Sequence, residues 1–317
     1  MSIKGMPGTV ITQYGKNLTI EDQEGNLISA IARRRLPQLI CGDRIRWQKT
    51  DNDKAIIEAV EDRITLLSRP DQRGRAKLIA ANIDQMIIVS AIDKDNSLQF
   101  NDRLIDHYLV AAETLGIQPV ILINKTDLVD IDMLNQIYNH FRLYSTIGYP
   151  TIFTNNSQQT GYPELIEQLY ERTSIFVGES GVGKSSLINN LLPDHDIRIG
   201  ELSAVSGKGM HTTTATTLYH LPHGGELIDS PGVREFGLSL DNEYAIANGY
   251  REFQSFIGLC KFRNCRHLGE QGCAIINACK EGLINRRRLD SYQSMAFSLT
   301  AKQRSSPMLF MHAVLSA

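Results

Sequence analysis

Two short motifs occur in this chain in an order that strongly restricts its fold. A tetrapeptide of the form N-K-x-D occupies residues 124–127, and a glycine-rich segment of the form G-x-x-x-x-G-K-[ST] follows at residues 178–185. In the usual arrangement of nucleotide-binding folds that contain both, the glycine-rich segment comes first. The inverted order indicates a circularly permuted chain, because the parts of a pocket need only meet in space.

The glycine-rich segment has the flanks of a phosphate-binding loop. It reads Gly178, Glu179, Ser180, Gly181, Val182, Gly183, Lys184 and Ser185, and Ser186 follows. The apolar run 174–177 before it is typical of a buried strand, and residues 186–192 are typical of a helix. In this context the loop N–H groups and the helix N-terminus bind phosphates. Lys184 is expected to reach the β- and γ-phosphates, and Ser185 to ligate Mg²⁺. A simple glycine-rich turn is the alternative.

The tetrapeptide predicts recognition of guanine. Asn124, Lys125, Thr126 and Asp127 follow the apolar run 120–123, which reads as a strand. The Asp127 carboxylate can accept hydrogen bonds from N1 and N2 of guanine, and adenine has no such pair of donors. Lys125 can lie along the base, and Asn124 can tie the tetrapeptide to the phosphate loop. Four residues alone would also fit a polar turn, but the two motifs together predict a guanine-nucleotide site.

A third motif predicts the regions that sense the γ-phosphate. Asp229 and Gly232 fit the pattern D-x-x-G after a strand-like run. Asp229 is expected to hold Mg²⁺ through water, and the Gly232 N–H to sense the γ-phosphate. Thr213 and Thr214 are candidate GTP-binding residues of the first switch, with Thr213 also a candidate Mg²⁺ ligand. The sequence does not distinguish which hydroxyl among residues 212–214 ligates Mg²⁺, and a threonine-rich β segment is the alternative.

The residue that orients the attacking water is not obvious. Val233 stands where many GTPases place a glutamine, and a valine cannot polarise water. Hydrolysis is therefore either slow or assisted by another group, and His211 is the nearest candidate. We expect His211 and Lys184 to be the catalytic residues. A solvated loop histidine is the alternative for His211.

A cysteine and histidine cluster predicts a metal site. Cys260, Cys265, His267 and Cys273 have the spacing C-x4-C-x-H-x5-C, which suits a closed tetrahedral Zn²⁺ site with a structural role. Three of the five cysteines of the chain lie in this cluster. The sequence shows neither a signal peptide nor a transmembrane run, so a reducing, cytoplasmic location is expected and disulfides are disfavoured. Buried free cysteines are the alternative.

The distribution of charge indicates contact with RNA. The formal net charge is only −2, which excludes a general polycation. Basic residues nevertheless cluster near the N-terminus around Trp47 and again at residues 286–288, and basic side chains with an aromatic between them suit an RNA backbone. A solvated charged face is the alternative. The basic residues of the N-terminal region are Arg33, Arg34, Arg35, Arg44, Arg46, Lys49, Arg63, Arg69, Arg73, Arg75 and Lys77.

The pattern of apolar residues predicts three domains. Short strands separated by turns before residue 68 favour a small β-barrel, an OB-fold, at residues 1–68. Residues 69–78 are expected to be a linker. Strands that alternate with helices predict an α/β domain with a mostly parallel sheet at 79–240. Residues 241–300 are expected to form a helical zinc-binding domain, followed by a tail at 301–317 whose role the sequence does not give.

These features together resemble the RsgA (YjeQ/EngC) family of bacterial small-ribosomal-subunit biogenesis GTPases. The resemblance rests on the permuted motifs, the segment 207–214, the D-x-x-G motif and the cysteine and histidine cluster, with Ser68-Arg69-Pro70 and residues 80–85 also similar. It implies an OB-fold, a circularly permuted P-loop GTPase domain and a C-terminal zinc domain. It also implies slow GTP hydrolysis that the small subunit stimulates late in maturation, and a catalytic role for His211.

The resemblance implies further expectations, and the chain departs from the family pattern in one loop and in the tail at 301–317, which has no family counterpart. GTP or GDP, the small ribosomal subunit and its rRNA are the expected partners, with no membrane, and a monomer is expected. Because few residues separate Gly232 from the predicted zinc domain, movement at Gly232 is expected to reposition that domain. A guanine-contacting Ser-Ala or Ser-Ser pair is expected after the run 151–153, but Thr154-Asn155-Asn156-Ser157 occupies that loop. An RNA-binding module with a static nucleotide remains the alternative, whereas Asp127 argues against an ATPase or kinase.

Overall fold

The chain divides into two compact units, which are described separately. The first comprises Met1–Asn101 and Leu115–Leu238, and the second comprises Asp102–Thr114 and Ser239–Ala317. The computed structural model describes residues 5–14, 17–50, 54–71, 75–93, 95, 98–193, 215–230 and 243–305. Of the predicted site residues, His211, Thr213, Thr214 and Gly232 lie outside these ranges.

The N-terminal part of the first unit is a closed β-barrel. Its described strands are β1 (Met6–Tyr14), β2 (Asn17–Asp22), β3 (Leu27–Ala32), β4 (Arg44–Lys49) and β5 (Ala55–Val60). They pair in the order β1-β2-β3-β5-β4, and β4 returns to β1, which closes the sheet. Because β4 pairs with both β5 and β1, the five described barrel strands close on themselves and leave no open sheet edge. The predicted five-stranded barrel is confirmed.

The barrel core contradicts one part of the RNA prediction, in which Trp47 was the aromatic residue between the basic side chains. Alternate strand residues point inward, and Val10, Ile20, Ile45 and Ile57 are fully buried. Trp47 packs among them with only 3% of its surface exposed. Its indole N–H donates a hydrogen bond of 3.1 Å to Pro7 O. Trp47 is therefore a core residue and does not present a ring for stacking between the basic side chains.

A hairpin follows the barrel. Strands β6 (Leu66–Pro70) and β7 (Ala76–Ala81) pair with each other in a separate sheet. The Asn82 side-chain amide donates a hydrogen bond of 2.8 Å to Gly42 O and ties the hairpin to the barrel. The described residues of the predicted linker 69–78 thus include paired strands rather than an open connection.

The remainder of the first unit is an α/β sheet. Its described strands pair in the order β10-β9-β8-β11-β13-β12 and are parallel except for β12. They are β8 (Gln85–Ala91), β9 (Gln118–Asn124), β10 (Thr151–Phe153), β11 (Thr173–Val177), β12 (Thr217–His220) and β13 (Glu226–Asp229). Strand order reverses between β8 and β11, and ligands bind at the carboxyl ends of strands at such a switch point. The predicted α/β region is confirmed.

Among the described residues, three α-helices belong to this α/β region. They are α2 (Ile131–Ile147), α3 (Tyr162–Leu169) and α4 (Lys184–Leu191). The Asp130 side chain caps the start of α2 by accepting a hydrogen bond of 2.9 Å from Met133 N, and Gly148 ends it with a left-handed backbone. Strands β8 and β9 are apolar and buried over most of their length, which is typical of central parallel strands.

The barrel and the α/β sheet form one continuous sheet. Strand β1 pairs with β12 at Thr12 and Thr217. Eleven described strands are therefore hydrogen-bonded, each to its neighbour, in one sheet. The register of β1 shifts between Val10 and Thr12, which is a bulge. The buried thiol of Cys41 donates a hydrogen bond of 3.2 Å to Ile11 O at this bulge.

The second unit is helical. Its described α-helices are α1 (Asp102–Leu115), Glu243–Asn248, Ala274–Lys280 and Arg286–Ser305. The last residue of α1, Leu115, belongs to the first unit. The last helix extends beyond residue 300 into the predicted tail, and residues 306–317 lie outside the described ranges. Among the described residues, the structure contains no helix that combines the length and apolarity needed to cross a bilayer.

A buried ionic cluster fastens α1 within the second unit. The side chain of Arg288 is fully buried, its Nη1 donates to Asp106 Oδ1, and its Nε lies 2.6 Å from Glu252 Oε1. The guanidinium also lies 4.3 Å from the ring centroid of Tyr250. Although burial opposes the charged form, the two carboxylates raise the pKa of Arg288 well above its ordinary value. The sequence analysis assigned residues 102–115 to the α/β domain at 79–240. The pairing of Asp106 with Arg288, 182 residues later, leaves no local signal in the sequence.

Candidate active site and metal centre

The predicted phosphate loop has the expected strand, loop and helix geometry. Strand β11 ends at Val177, and α4 begins at Lys184. Gly178 has a φ of 141°, and a Cβ there would lie 2.1 Å from Val89 O. Gly183 has a φ of 96°, and a Cβ there would lie 2.3 Å from Asn124 Nδ2. The glycines are therefore required by backbone conformation and by close approach of neighbouring strands.

Lys184 points into the loop that it follows. Its ammonium Nζ donates hydrogen bonds of 2.7 Å to Gly178 O and 2.5 Å to Glu179 O. The positive charge therefore lies against the backbone carbonyls of the loop. Ser185 and Ser186 lie in the first turn of α4 and are exposed. A lysine, a hydroxyl-bearing side chain and a helix N-terminus therefore lie together, and such an arrangement can bind anions.

The tetrapeptide is joined directly to the phosphate loop. Asn124 is fully buried at the end of β9, and its Nδ2 donates a hydrogen bond of 2.9 Å to Val182 O. Its Oδ1 accepts a hydrogen bond of 3.1 Å from the buried hydroxyl of Thr154. Lys125 Nζ donates a hydrogen bond of 2.8 Å to Gly181 O. Three segments distant in sequence therefore meet at the carboxyl ends of β9, β10 and β11.

The loop after β10 completes the wall around Asp127. The Ser157 hydroxyl lies 3.2 Å from Asp127 Oδ2. Asn155 Oδ1 accepts hydrogen bonds of 2.9 Å from Ser157 N and 3.2 Å from Gln158 N, which gives the loop its turn. The sequence analysis placed Thr154 and Ser157 in the loop expected to contact guanine, but it assigned neither side chain a role of its own. The run of small polar residues at a strand end was the available signal.

Asparagine side chains also connect this loop to the phosphate-loop helix. The Tyr162 hydroxyl donates a hydrogen bond of 3.1 Å to Asn156 Oδ1 and accepts one of 2.8 Å from Asn190 Nδ2. Asn190 lies on α4, so the base-side loop and the phosphate-side helix share one polar network. Burial raises the pKa of Tyr162, which keeps its hydroxyl neutral and able to donate.

Asp229 lies beside the phosphate loop. It is the last residue of β13, and β13 pairs in parallel with β11, the strand that leads into the loop. Ser230 follows it, and its Oγ accepts a hydrogen bond of 3.0 Å from Thr216 Oγ1. Of the two catalytic candidates, the described residues include Lys184 and exclude His211.

The four predicted metal ligands converge in the second unit. The ligand atoms of Cys260, Cys265, His267 and Cys273 all lie within 4.8 Å of one another. His267 Nδ1 lies 3.5 Å from Cys260 Sγ and 3.3 Å from Cys273 Sγ, and the two sulfurs are 4.0 Å apart. A tetrahedral zinc ion with bonds of about 2.0–2.3 Å has ligands separated by about 3.5–3.8 Å. The donors and their spacing therefore fit Zn²⁺.

The surroundings of the cluster favour metal binding. Burial raises the pKa of the Cys265 thiol to about 12 and lowers the pKa of His267. Metal binding would offset the cost of placing thiolates in this buried site. Glu270 folds the intervening loop, because its Oε2 accepts hydrogen bonds of 2.8 Å from Leu268 N and 3.1 Å from Gly269 N. The Tyr292 hydroxyl fixes the same loop by donating 2.7 Å to Arg266 O.

Known proteins are similar in sequence to this chain over most of its length. The sequence model of the RsgA GTPase family matches residues 60–239. A small ribosomal subunit biogenesis GTPase RsgA from Histophilus somni (strain 129Pt) is 46% identical over 298 residues, which covers 92% of this chain and 84% of the relative. The corresponding protein of Pseudomonas fluorescens (strain SBW25) is 43% identical, covering 92% of this chain and 85% of the relative.

Solved structures share the fold. The crystal structure of YjeQ from Thermotoga maritima superposes with a TM-score of 0.77 at 29% identity and covers 93% of this chain and 98% of that protein. The structure of YloQ, described as a circularly permuted GTPase, superposes with a TM-score of 0.75 at 25% identity and covers 94% and 96%. With the permuted motifs joined at one site, the chain belongs to the RsgA family of circularly permuted GTPases.

Proposed function

We propose that this protein binds GTP, hydrolyses it to GDP and phosphate, and assists late maturation of the small ribosomal subunit in the cytoplasm as a monomer. The observation that carries the proposal is the hydrogen bond from Asn124 to Val182, which unites the base-reading tetrapeptide with the phosphate loop. The relatives named above are small ribosomal subunit biogenesis GTPases, which supplies the partner.

The geometry supports an assignment of residues to the guanine base and to the phosphates. Asp127 accepts N1–H and N2–H of guanine, and Ser157 supports one of its oxygens at 3.2 Å. The loop amides and Lys184 bind the phosphates. We assign Mg²⁺ to Ser185, Thr213 and, through water, Asp229. When bound, Mg²⁺ neutralises charge on the β- and γ-phosphate oxygens.

The hydrolysis step needs little covalent chemistry from the protein. Water attacks the γ-phosphorus as the bond to the bridging oxygen breaks, the leaving oxygen keeps the bonding electrons on GDP, and the protons of the water pass to the released phosphate. Lys184 stabilises negative charge on the transferring group. His211 is assigned to orient the water, since Val233 cannot. Turnover is expected to be slow until the small subunit stimulates it.

The barrel is assigned to contact rRNA. Several of its arginines lie on the surface: Arg34, Arg35 and Arg44 are exposed. Others are already paired with carboxylates, since Arg33 lies 2.5 Å from Glu58 and Arg46 lies 2.8 Å from Glu61. RNA contact therefore rests on the exposed subset, through phosphate neutralisation. The cysteine and histidine cluster is assigned one structural zinc.

The test is GTP hydrolysis with and without isolated small ribosomal subunits. We expect slow turnover by the protein alone and a large acceleration with subunits. Lys184→Ala is expected to abolish the stimulated rate. Asn135→Ala, which changes an exposed residue of α2, serves as the control. Absence of turnover in both conditions would instead support an RNA-binding module with a static nucleotide.

A further inference from the structure

Three residues form a row across the junction of the barrel and the α/β sheet. Thr217 of β12 lies opposite Thr12 of the barrel strand β1. On its other side, Thr217 lies opposite Asp229 of β13. Direct cross-strand partners point their side chains to the same face of a sheet. The barrel residue Thr12 is thus two strands away from the carboxylate assigned to Mg²⁺.

Hydroxyl groups connect this row. Thr12 is fully buried, and its Oγ1 donates a hydrogen bond of 3.0 Å to Thr216 O. The same oxygen accepts a hydrogen bond of 3.2 Å from Thr217 Oγ1. Thr216 then donates from its own Oγ1 to Ser230 Oγ, at 3.0 Å. The contacts therefore run from the barrel to the residue that directly follows Asp229.

The position of these bonds determines their effect. Asp229 is the last residue of β13, and the next residue, Ser230, is held by the hydrogen bond from Thr216. Removing the Thr12 hydroxyl would leave the buried Thr217 hydroxyl without its acceptor and Thr216 O without this donor. Unpaired buried polar groups are costly, so the ends of β12 and β13 would loosen.

We propose that Thr12 is a positioning residue for GTP hydrolysis, which acts from the barrel on Asp229 through Thr217, Thr216 and Ser230. The inference rests on the proposed function. It assigns to the barrel a part in the chemistry, in addition to RNA contact. The affinity for nucleotide depends mainly on the phosphate loop and Asp127, which this row does not touch, so Thr12 should influence turnover more than binding.

The barrel offers a matched control. Thr19 of β2 lies opposite Thr12 on the other side and is 1% exposed. Its hydroxyl has no hydrogen-bond partner among the described residues. Thr19→Val therefore makes the same chemical change at a neighbouring buried site without breaking a bond in the row. Thr12→Ser keeps the hydroxyl and tests rescue.

The experiment measures kcat and KM for GTP, GDP affinity, and amide hydrogen exchange of the nucleotide-free protein. For Thr12→Val we expect kcat to fall about tenfold, with KM and GDP affinity changed by about twofold at most. Exchange at residues 217–220 and 226–230 should be about tenfold faster. Thr12→Ser and Thr19→Val should match the wild type in each measurement.

Two results would overturn the inference. One is a kcat for Thr12→Val equal to that of Thr19→Val, and the other is unchanged exchange at β12 and β13. If Thr12→Val does not fold, Thr216→Val removes the bond to Ser230 at a half-buried site, and an unchanged kcat there overturns the inference equally. Failure of the proposed function is distinguishable, since the wild type would then show no turnover.

Discussion

The side-chain amide of Asn124 donates a hydrogen bond of 2.9 Å to the backbone carbonyl of Val182. This contact connects the end of β9 with the middle of the phosphate loop, fifty-eight residues later in the chain. It joins the N-K-x-D tetrapeptide directly to the phosphate loop. The permuted order of the motifs is compatible with an intact pocket because this contact is made by tertiary structure.

Asn124→Ala is expected to weaken GDP and GTP binding to a similar extent. The change removes a buried donor to Val182 O and a buried acceptor for Thr154, at a cost of about 2–4 kcal/mol, or about 30–1000-fold in affinity. Fluorescence titration with a labelled guanine nucleotide measures the loss. Asn135→Ala is the control, and an affinity equal to that of this control would contradict the prediction.

Asp127→Asn is expected to change the preferred base. The aspartate carboxylate accepts from guanine N1 and N2, whereas an asparagine amide also donates and so favours the carbonyl at position 2 of xanthine. Competition between GDP and XDP measures this preference. Ser157→Ala, which removes the hydroxyl 3.2 Å from Asp127 Oδ2, should weaken GDP binding about tenfold at most without favouring XDP. A preference for GDP in Asp127→Asn would oppose the assignment of Asp127.

Cys265→Ala is expected to remove zinc and destabilise the helical unit. With one thiolate lost from a closed four-ligand site, binding free energy that contributes to folding is lost as well. Elemental analysis and thermal unfolding measure the two effects. Cys279→Ser, a half-buried free cysteine outside the cluster, is the control and should retain one zinc per chain. Equal zinc content in both variants would argue against the site.

Arg288→Ala is expected to destabilise the protein by about 3–5 kcal/mol, because it removes the buried guanidinium that pairs with Asp106 and Glu252. Denaturant unfolding of the helical unit measures this change. Arg286→Ala is the matched control on the same helix. Arg286 pairs with Asp290 at 2.9 Å on the surface, and exposed pairs contribute about 1 kcal/mol at most. Similar losses in the two variants would show that burial of Arg288 does not decide its role.

The sequence was most informative where function requires particular residues at fixed spacing. The phosphate loop, the tetrapeptide and the cysteine and histidine cluster could be read directly, and their convergence followed from the rule that strand ends meet at one edge. Long-range side-chain pairing was not readable. Neither the pairing of Thr12 with Thr217 nor that of Arg288 with Asp106 has a local signal, and burial of Trp47 depended on barrel closure.

The assignment of α1 to the C-terminal unit bears on how this protein can be divided. The chain leaves the first unit after Asn101, re-enters it at Leu115 and leaves it again after Leu238. A protease cut or a stop codon near residue 238 would not release an independent module. A stop codon there would deprive Asp102 and Asp106 of their arginine partners on the last helix, whereas a protease cut would leave these ion pairs holding the two pieces together. The helical unit therefore needs a helix that is encoded well upstream of its other helices. Neither of its two chain segments is expected to be transferred to another protein without the other.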